Sequence, residues 1–274
     1  MDIVKARDKF ARLKRIIAKM RSVLVAYSGG VDSSFLLKVA KDILGNKVLA
    51  VIAKSPTYTK SELEEAVDFC NKYKIKYLII ETEELNNPRF AKNPKNRCFY
   101  CKDELFSRLK KIAEARKIKY IIDGSNADDT RDFRPGRKAK EKHKVRSPLQ
   151  EAGLTKDEIR RLSKDLGLET WNKPSLACLA SRFPYDTQIT KKDLRRINAA
   201  EEFLRSLGFA QVRVRHYDSL ARIEVLKDDI GRVLSLASQK IVNKLKELGY
   251  NYVTLDLEGY RSGSMNEGIW KESI

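Results

Sequence analysis

Short runs of consecutive apolar residues alternate with longer stretches whose apolar positions recur every three or four residues, from the start of the chain to about residue 125. Val23–Tyr27, Lys47–Ala53, Lys76–Glu81 and Lys119–Ile122 are mostly apolar along their length, which predicts buried strands. Between them, residues 4–20 (with Val4, Phe10, Leu13, Ile16, Ile17 and Met20), the stretch after Ser33, and residues 60–73 and 101–117 carry helical spacing. Strand and helix in alternation predict an α/β fold, a parallel sheet with crossover helices. Thr130–Lys144 is polar, basic and broken by Pro135-Gly136, and reads as a surface loop. Thr155 with Glu158 three residues on opens a helix over 155–167 that Gly167 closes. Glu169–Thr187 is a long irregular stretch of the kind that serves as a linker or a functional loop.

From Thr190 the pattern changes to helix (190–207), strand (211–217), strand (221–226), helix (227–248) and strand (252–255). Val212 and Val214 alternate there with Arg213 and Arg215, as in a strand with one apolar face. The change predicts a smaller C-terminal α+β domain, with a boundary near residue 186 that leaves domains of 1–186 and 187–274.

The junction of the first strand and its helix reads Ser28-Gly29-Gly30-Val31-Asp32-Ser33-Ser34. Paired glycines let the backbone approach a ligand, and the N–H groups at a helix start favour an anion, with the hydroxyls of Ser28, Ser33 and Ser34 as further donors. The stretch has neither the Gly-Lys-Ser/Thr ending of a Walker loop nor the glycine spacing of a dinucleotide fold. Ligands of parallel sheets gather at the carboxyl ends of the strands, where Ser55 and the run Asp123-Gly124-Ser125-Asn126-Ala127-Asp128-Asp129 also fall.

At 274 residues and 42% hydrophobic, the chain can bury a sizeable core. No apolar run approaches the roughly 20 residues that cross a bilayer, and charges at Asp2, Lys5, Arg7, Asp8 and Lys9 stand where a leader would be apolar. A cytoplasmic protein with no membrane partner is expected. The net charge of +19 suggests a polyanionic partner, nucleic acid or nucleotide phosphates, yet 34% charged residues rich in lysine equally describe a solvated surface.

Four cysteines do not make a disulfide framework in a chain this long. Cys98 and Cys101 have metal-type spacing, Cys178 in the irregular stretch is the natural third ligand, and Cys70 falls among apolar neighbours as a core residue. A zinc site would want a fourth ligand, and neither His143 nor His216 has ligand-like spacing; three thiolates on a 4Fe-4S cluster would leave one iron open. Two buried thiols or a redox pair remain alternatives for Cys98 and Cys101.

The Ser-Gly-Gly-Val-Asp-Ser loop resembles that of the PP-loop ATP pyrophosphatases. Asn96-Arg97-Cys98-Phe99-Tyr100-Cys101-Lys102, Asp123 to Asp129, Arg134-Pro135-Gly136, Ser147-Pro148-Leu149, Trp171-Asn172-Lys173-Pro174, Ala177 to Tyr185 and Gly259-Tyr260-Arg261-Ser262-Gly263-Ser264-Met265-Asn266 resemble the LarE family within that superfamily, over about residues 10–267. The resemblance implies an adenine nucleotide α-hydrolase-like fold and an ATP-dependent sulfur transferase that acts in making a nickel-pincer nucleotide cofactor. It implies adenylation of a carboxylate of pyridinium-3,5-biscarboxylic acid mononucleotide, followed by conversion to a thiocarboxylate. Carried over residue by residue, Ser28, Gly29, Gly30, Ser33 and Ser34 would hold the ATP phosphates with Ser55, Gly124 and Asn126 nearby, and Asp32 would place magnesium. Cys178 would handle sulfur, while Arg182, Arg213, Arg215 and Glu224 would line the substrate site. In some members that cysteine gives up its own sulfur and ends as dehydroalanine; the pair Cys98 and Cys101 instead resembles the members that bind a cluster and use sulfide or another donor. A homo-oligomer is expected. A tRNA 2-thiolation enzyme and an RNA-binding protein with a structural metal are the competing readings; the first lacks its zinc-binding cysteines here, and the second leaves the glycine loop unexplained.

Overall fold

All four apolar runs are strands: β1 (Val23–Tyr27), β2 (Val48–Lys54), β3 (Lys76–Glu81) and β4 (Tyr120–Asp123). They pair in parallel in the order β3-β2-β1-β4, so the chain moves outward from β1 to β3 and then returns to the other side of β1. The crevice where the order reverses is where a sheet of this kind binds its ligand. The computed structural model describes residues 3–130, 135–174, 177–261 and 263–264.

The strands read as unbroken apolar runs because both faces of the sheet are covered. Val23, Val25 and Tyr27 of β1, with Val48, Ala50 and Ile52 of β2, pack beneath α1 (Ile3–Ala18), α2 (Val31–Leu44) and α3 (Lys60–Lys72). Leu24, Leu49, Val51 and Ile121 point the other way, against Phe106, Leu109 and Ala113. After a single turn, α4 (Pro88–Ala91), those three belong to α5 (Arg97–Ala115). Cys70 lies in the first of these cores with no exposed surface, as its apolar neighbours predict, and burial pushes its thiol up to about 12.

Two expectations for this region need correction. Helix α5 starts at Arg97 and not near residue 101, so Cys98 and Cys101 both lie on the helix, within its first five residues. The basic segment is a helix, α6 (Gly136–His143), over its described part; residues 131–134, including Arg134, lie outside the described residues. Only Ala139 enters the core from α6, too little to mark a period in the sequence; Asp103 of α5 fastens the helix by accepting from Lys142 and pairing with His143. Two further helices follow, α7 (Pro148–Ala152) and α8 (Lys156–Asp165), the latter opened by the reciprocal Thr155 and Glu158 cap that its sequence predicts.

The contacts divide the chain into two units, Met1–Phe90 with Asn96–Leu176, and Ala91–Lys95 with Ala177–Ile274. The boundary expected near 186 therefore falls inside the second unit. The Asn93 side-chain amide there donates to the carbonyl of Phe183, and the backbone N–H of Asp186 donates to the carbonyl of Asn93. The second unit is built on α9 (Lys191–Ser206), β5 (Val212–Tyr217), β6 (Leu220–Val225) and β7 (Tyr252–Leu255), in the order β5-β6-β7 with the last pair parallel. The helix predicted over 227–248 is interrupted: a 3-10 turn at Lys227–Asp229 and α10 (Ile230–Arg232) run into a π-turn at Val233–Ala237, then α11 (Ser238–Glu247). Arg213 and Arg215 do not lie on a solvent face, because both sides of β5 are buried.

Candidate active site

The first unit gathers its polar groups at the carboxyl end of the sheet. Gly29 sits in the left-handed region at φ +72°, with Ala66 of α3 at its back, and Gly30 caps α2. The loop hydroxyls take different parts: Ser28 and Ser33 lie 3.0 Å apart and Ser33 donates to the carbonyl of Gly30, while the wholly buried Ser34 pairs with the Tyr27 hydroxyl. Ser34 thus anchors the loop to β1 by its side chain.

The loop after β4 closes on this one. A β carbon on Gly124 would stand 2.8 Å from the nitrogen and 2.9 Å from the α carbon of Ser33, so only glycine fits that approach. Asn126 donates from its side chain to Asp32 Oδ2 at 3.4 Å, and Lys156 at the start of α8 donates to the same oxygen at 2.7 Å. Asp32 Oδ1 is buried with no hydrogen-bond partner. Burial pushes the Asp32 carboxyl above its ordinary range, against the opposing pull of Lys156. A carboxylate oxygen left unpaired suits a hard cation such as magnesium.

Three lysines complete the surroundings, and the periodicity of the chain marks none of them. Besides Lys156, Lys173 donates to the carbonyl of Gly29 at 3.1 Å and to Glu65 at 2.5 Å. Lys140 of α6 donates to Ser125 and Ser147, 3.0 Å each, which in turn bond Asp123; burial lowers its pKa. Lys173 lies in the Trp-Asn-Lys-Pro motif that carries the family resemblance, whereas a single lysine in a basic stretch gives no sign of its role. Beside the loop, at the ends of β1 and β2 and under α3, lies an apolar cavity of about 260 Å³ lined by Ala26, Ser28, Ile52, Ser55, Thr59 and Leu63 among others. Ser55 is turned to Glu84 by its hydroxyl.

The second unit brings the other predicted residues together. Arg182 holds Glu201 with two donors at 2.7 and 2.8 Å and donates through its remaining nitrogen to the carbonyls of Ala177 and Cys178, so it shapes the chain around that cysteine. Arg215 holds Glu224 in the same way at 2.8 and 2.7 Å and reaches the carbonyl of Ser181. Arg213 stacks over Tyr260; burial and the neighbouring Arg182 lower its pKa to about 10. Glu201 is not among the residues the sequence marks, since a glutamate on an amphipathic helix looks like any solvated one. Burial alone would raise its pKa; Arg182 and Arg213 outweigh that and lower it. Three buried arginines thus face two buried glutamates, an excess of positive charge suited to an anion.

Cys98 is exposed, Cys101 and Cys178 are partly buried, and all three are thiols outside any disulfide. The first two lie in one unit and the third in the other. Among the described residues of either unit, no three His, Cys, Asp or Glu side chains form a metal-binding group. No helix among the described residues is long and apolar enough to cross a membrane.

The strand order and the loop on β1 define a nucleotide-binding α/β enzyme of the PP-loop type, and a family model described as NAD synthase matches residues 3–124. An uncharacterised protein of Synechocystis sp. is 43% identical over 96% of this chain and 99% of its own length. Pyridinium-3,5-bisthiocarboxylic acid mononucleotide synthase of Lactiplantibacillus plantarum is 38% identical, over 97% of this chain and 96% of its own. One of the subunits of the glutamine-hydrolysing GMP synthase of Thermoplasma volcanium is 30% identical over 55% of this chain and 53% of its own. The chain belongs to the LarE family.

Gly124→Ala should push the β4 loop off Ser33 and weaken ATP binding about tenfold by calorimetry, with the far-ultraviolet spectrum unchanged. A second expectation concerns the buried ion pairs. Glu201→Ala should destabilise the protein by about 3–5 kcal/mol in urea unfolding at pH 7, because it leaves Arg182 buried without its partner. With its folded pKa depressed, Glu201 contributes that stability above the unfolded value near 4.3 and loses it as pH falls through the folded one. The gap between wild type and variant should therefore shrink as the pH falls below the unfolded value and through the folded one.

Proposed function

We propose that the protein adenylates a carboxylate of pyridinium-3,5-biscarboxylic acid mononucleotide with ATP and exchanges the adenylate for sulfur, giving a thiocarboxylate. The observation that carries this reading is the near full-length similarity to the Lactiplantibacillus plantarum synthase, together with a loop that presents Ser28 to Ser33 at the start of α2. A carboxylate oxygen attacks the α phosphorus and pyrophosphate leaves; sulfide then attacks the acyl carbon and AMP leaves, so a poor leaving group has become a good one. The chain's own part is position and charge. The backbone of Gly29 and Gly30 and the hydroxyls of Ser28 and Ser33 meet the phosphates, with Lys156 and Lys173 close by, and Asp32 Oδ1 would hold magnesium, which draws charge from the phosphates when bound.

In the second unit, the excess charge around Arg213 supports binding of the phosphate of the acceptor, with Arg182 and Arg215 fixed by Glu201 and Glu224 as its walls. Cys98, Cys101 and Cys178 would hold a 4Fe-4S cluster. Three cysteines outside any disulfide support it, and a spacing of three along one helix sets the first two on the same face. Held by these residues, such a cluster would supply the chemistry of sulfur delivery. The reduced thiols support a cytoplasmic setting, and the buried Arg213 and Arg215 support a substrate-binding role for residues 187–274.

With ATP, magnesium, sulfide and acceptor under anaerobiosis, the products should be AMP and pyrophosphate; ADP would overturn the reading. Cys178→Ser should abolish the thiocarboxylate by mass spectrometry, and Cys70→Ala should leave it intact. Recovery of Cys178 as dehydroalanine after one turnover, with no iron bound, would replace the cluster route by the sacrificial one.

A further inference from the structure

Lys140 has no part in the chemistry proposed above, yet only 12% of its side chain is exposed. Burying an ammonium is costly unless charge and hydrogen bonds compensate, and here the compensation is a closed network. Its Nζ donates to the hydroxyls of Ser125 and Ser147, which donate in turn to the two oxygens of Asp123 at 2.8 and 2.6 Å. The buried Asp123 carboxylate lies 3.7 Å from Nζ. Each serine thus spends its one proton on the carboxylate and a lone pair on the ammonium. Helix α6 cannot drift away from this network: Ala139 packs in the core, and Lys142 and His143 bond Asp103 of α5. The loop after β4 is thereby pinned on both sides of Asn126. Beyond it, the Ala127 N–H donates to the carbonyl of Leu154 and Asp128 accepts from the backbone N–H of Lys156. Before it, the pin is the network that Lys140 closes.

We propose that Lys140 is a positioning residue for magnesium-nucleotide binding: by closing the network of Asp123, Ser125 and Ser147 it holds Asn126 on Asp32 Oδ2 and leaves Oδ1 to the cation. The inference rests on the reading of this site as the ATP site. The Asn126 bond to Asp32 is long, 3.4 Å, and depends on the loop being held. With the loop released, the carboxylate loses that donor and turns both oxygens to Lys156, so the cation loses its ligand. The charged groups facing the Lys140 ammonium are Asp123 of β4, Asp129 of the following loop and Lys102 of α5. Burial lowers its pKa, with Lys102 adding to the effect, against the pull of Asp123 and Asp129. The network therefore loses its positive charge, as pH rises, below the ordinary lysine range.

The test is calorimetric binding of ATP to the full chain, with magnesium and with a chelator in its place. Lys140→Met should weaken magnesium-ATP binding about tenfold while changing metal-free ATP binding less than about threefold. Lys140→Arg keeps the charge and the donors, and should restore magnesium-ATP binding to within about threefold of wild type. In wild type the magnesium-ATP affinity should fall as pH rises through the lowered Lys140 pKa. That fall should be missing from Lys140→Met and moved to higher pH in Lys140→Arg. Unaltered magnesium-ATP binding in Lys140→Met would overturn the inference alone, as would equal losses with and without magnesium that Lys140→Arg does not restore. Wild-type protein that binds ATP under neither condition would overturn the nucleotide site itself, and this proposal with it.

Discussion

A single carboxylate, Asp32, ties three separate stretches of chain into one site. One of its oxygens receives Asn126 from the loop after β4 and Lys156 from the start of α8; the other is buried and unpaired at the head of α2. Three further features hold the neighbouring stretches in place: the parallel pairing of β1 with β4, the close approach of Gly124 to Ser33, and the anchoring of Ser34 by Tyr27. Its elevated pKa is the physical signature of this arrangement, since the chain surrounds a negative charge without fully neutralising it. A protein that left the carboxylate fully paired would have less attraction for a cation arriving with a nucleotide.

The second unit solves the opposite problem, keeping positive charge inside. Two guanidinium groups are each matched by a two-donor grip on a glutamate, and Arg213 is added on top of them against an aromatic ring. Planar, rigid groups permit this density of charge where flexible ammonium groups would not. The arrangement also explains why Arg182 can serve the chain around Cys178: with one edge of its guanidinium on Glu201, the other is aimed at the carbonyls of that segment.

Much of the architecture is legible in the residues. The strands announce themselves because a sheet covered on both faces demands unbroken apolar runs, and the Thr155 cap because its reciprocal bonds need two particular side chains three apart. The glycine loop, Asp32 and the buried nature of Cys70 follow from local pattern alone. What escapes is what long-range packing decides. Helix α6 contributes one alanine to the core and so leaves no period; the π-turn before α11 breaks a helix whose apolar spacing looks continuous; Glu201 and Glu84 are charged residues whose burial depends on partners far along the chain. Cys98 and Cys101 show their spacing in the sequence but not that they ride on a helix, a matter of one turn at the boundary.

The deep placement of Cys70 bears on how such a protein survives its own chemistry. Chemistry on an activated acyl group exposes every ionisable thiol to stray acylation. Burial holds the Cys70 thiol at about 12, so almost none of it is the reactive anion near neutrality, and the core around it admits no reagent. The three thiols outside the core remain open to reaction. Sulfur reactivity is thereby partitioned within one chain: an oxidant or alkylating agent would mark Cys98, Cys101 and Cys178 first, and the packing that holds the sheet together would go untouched.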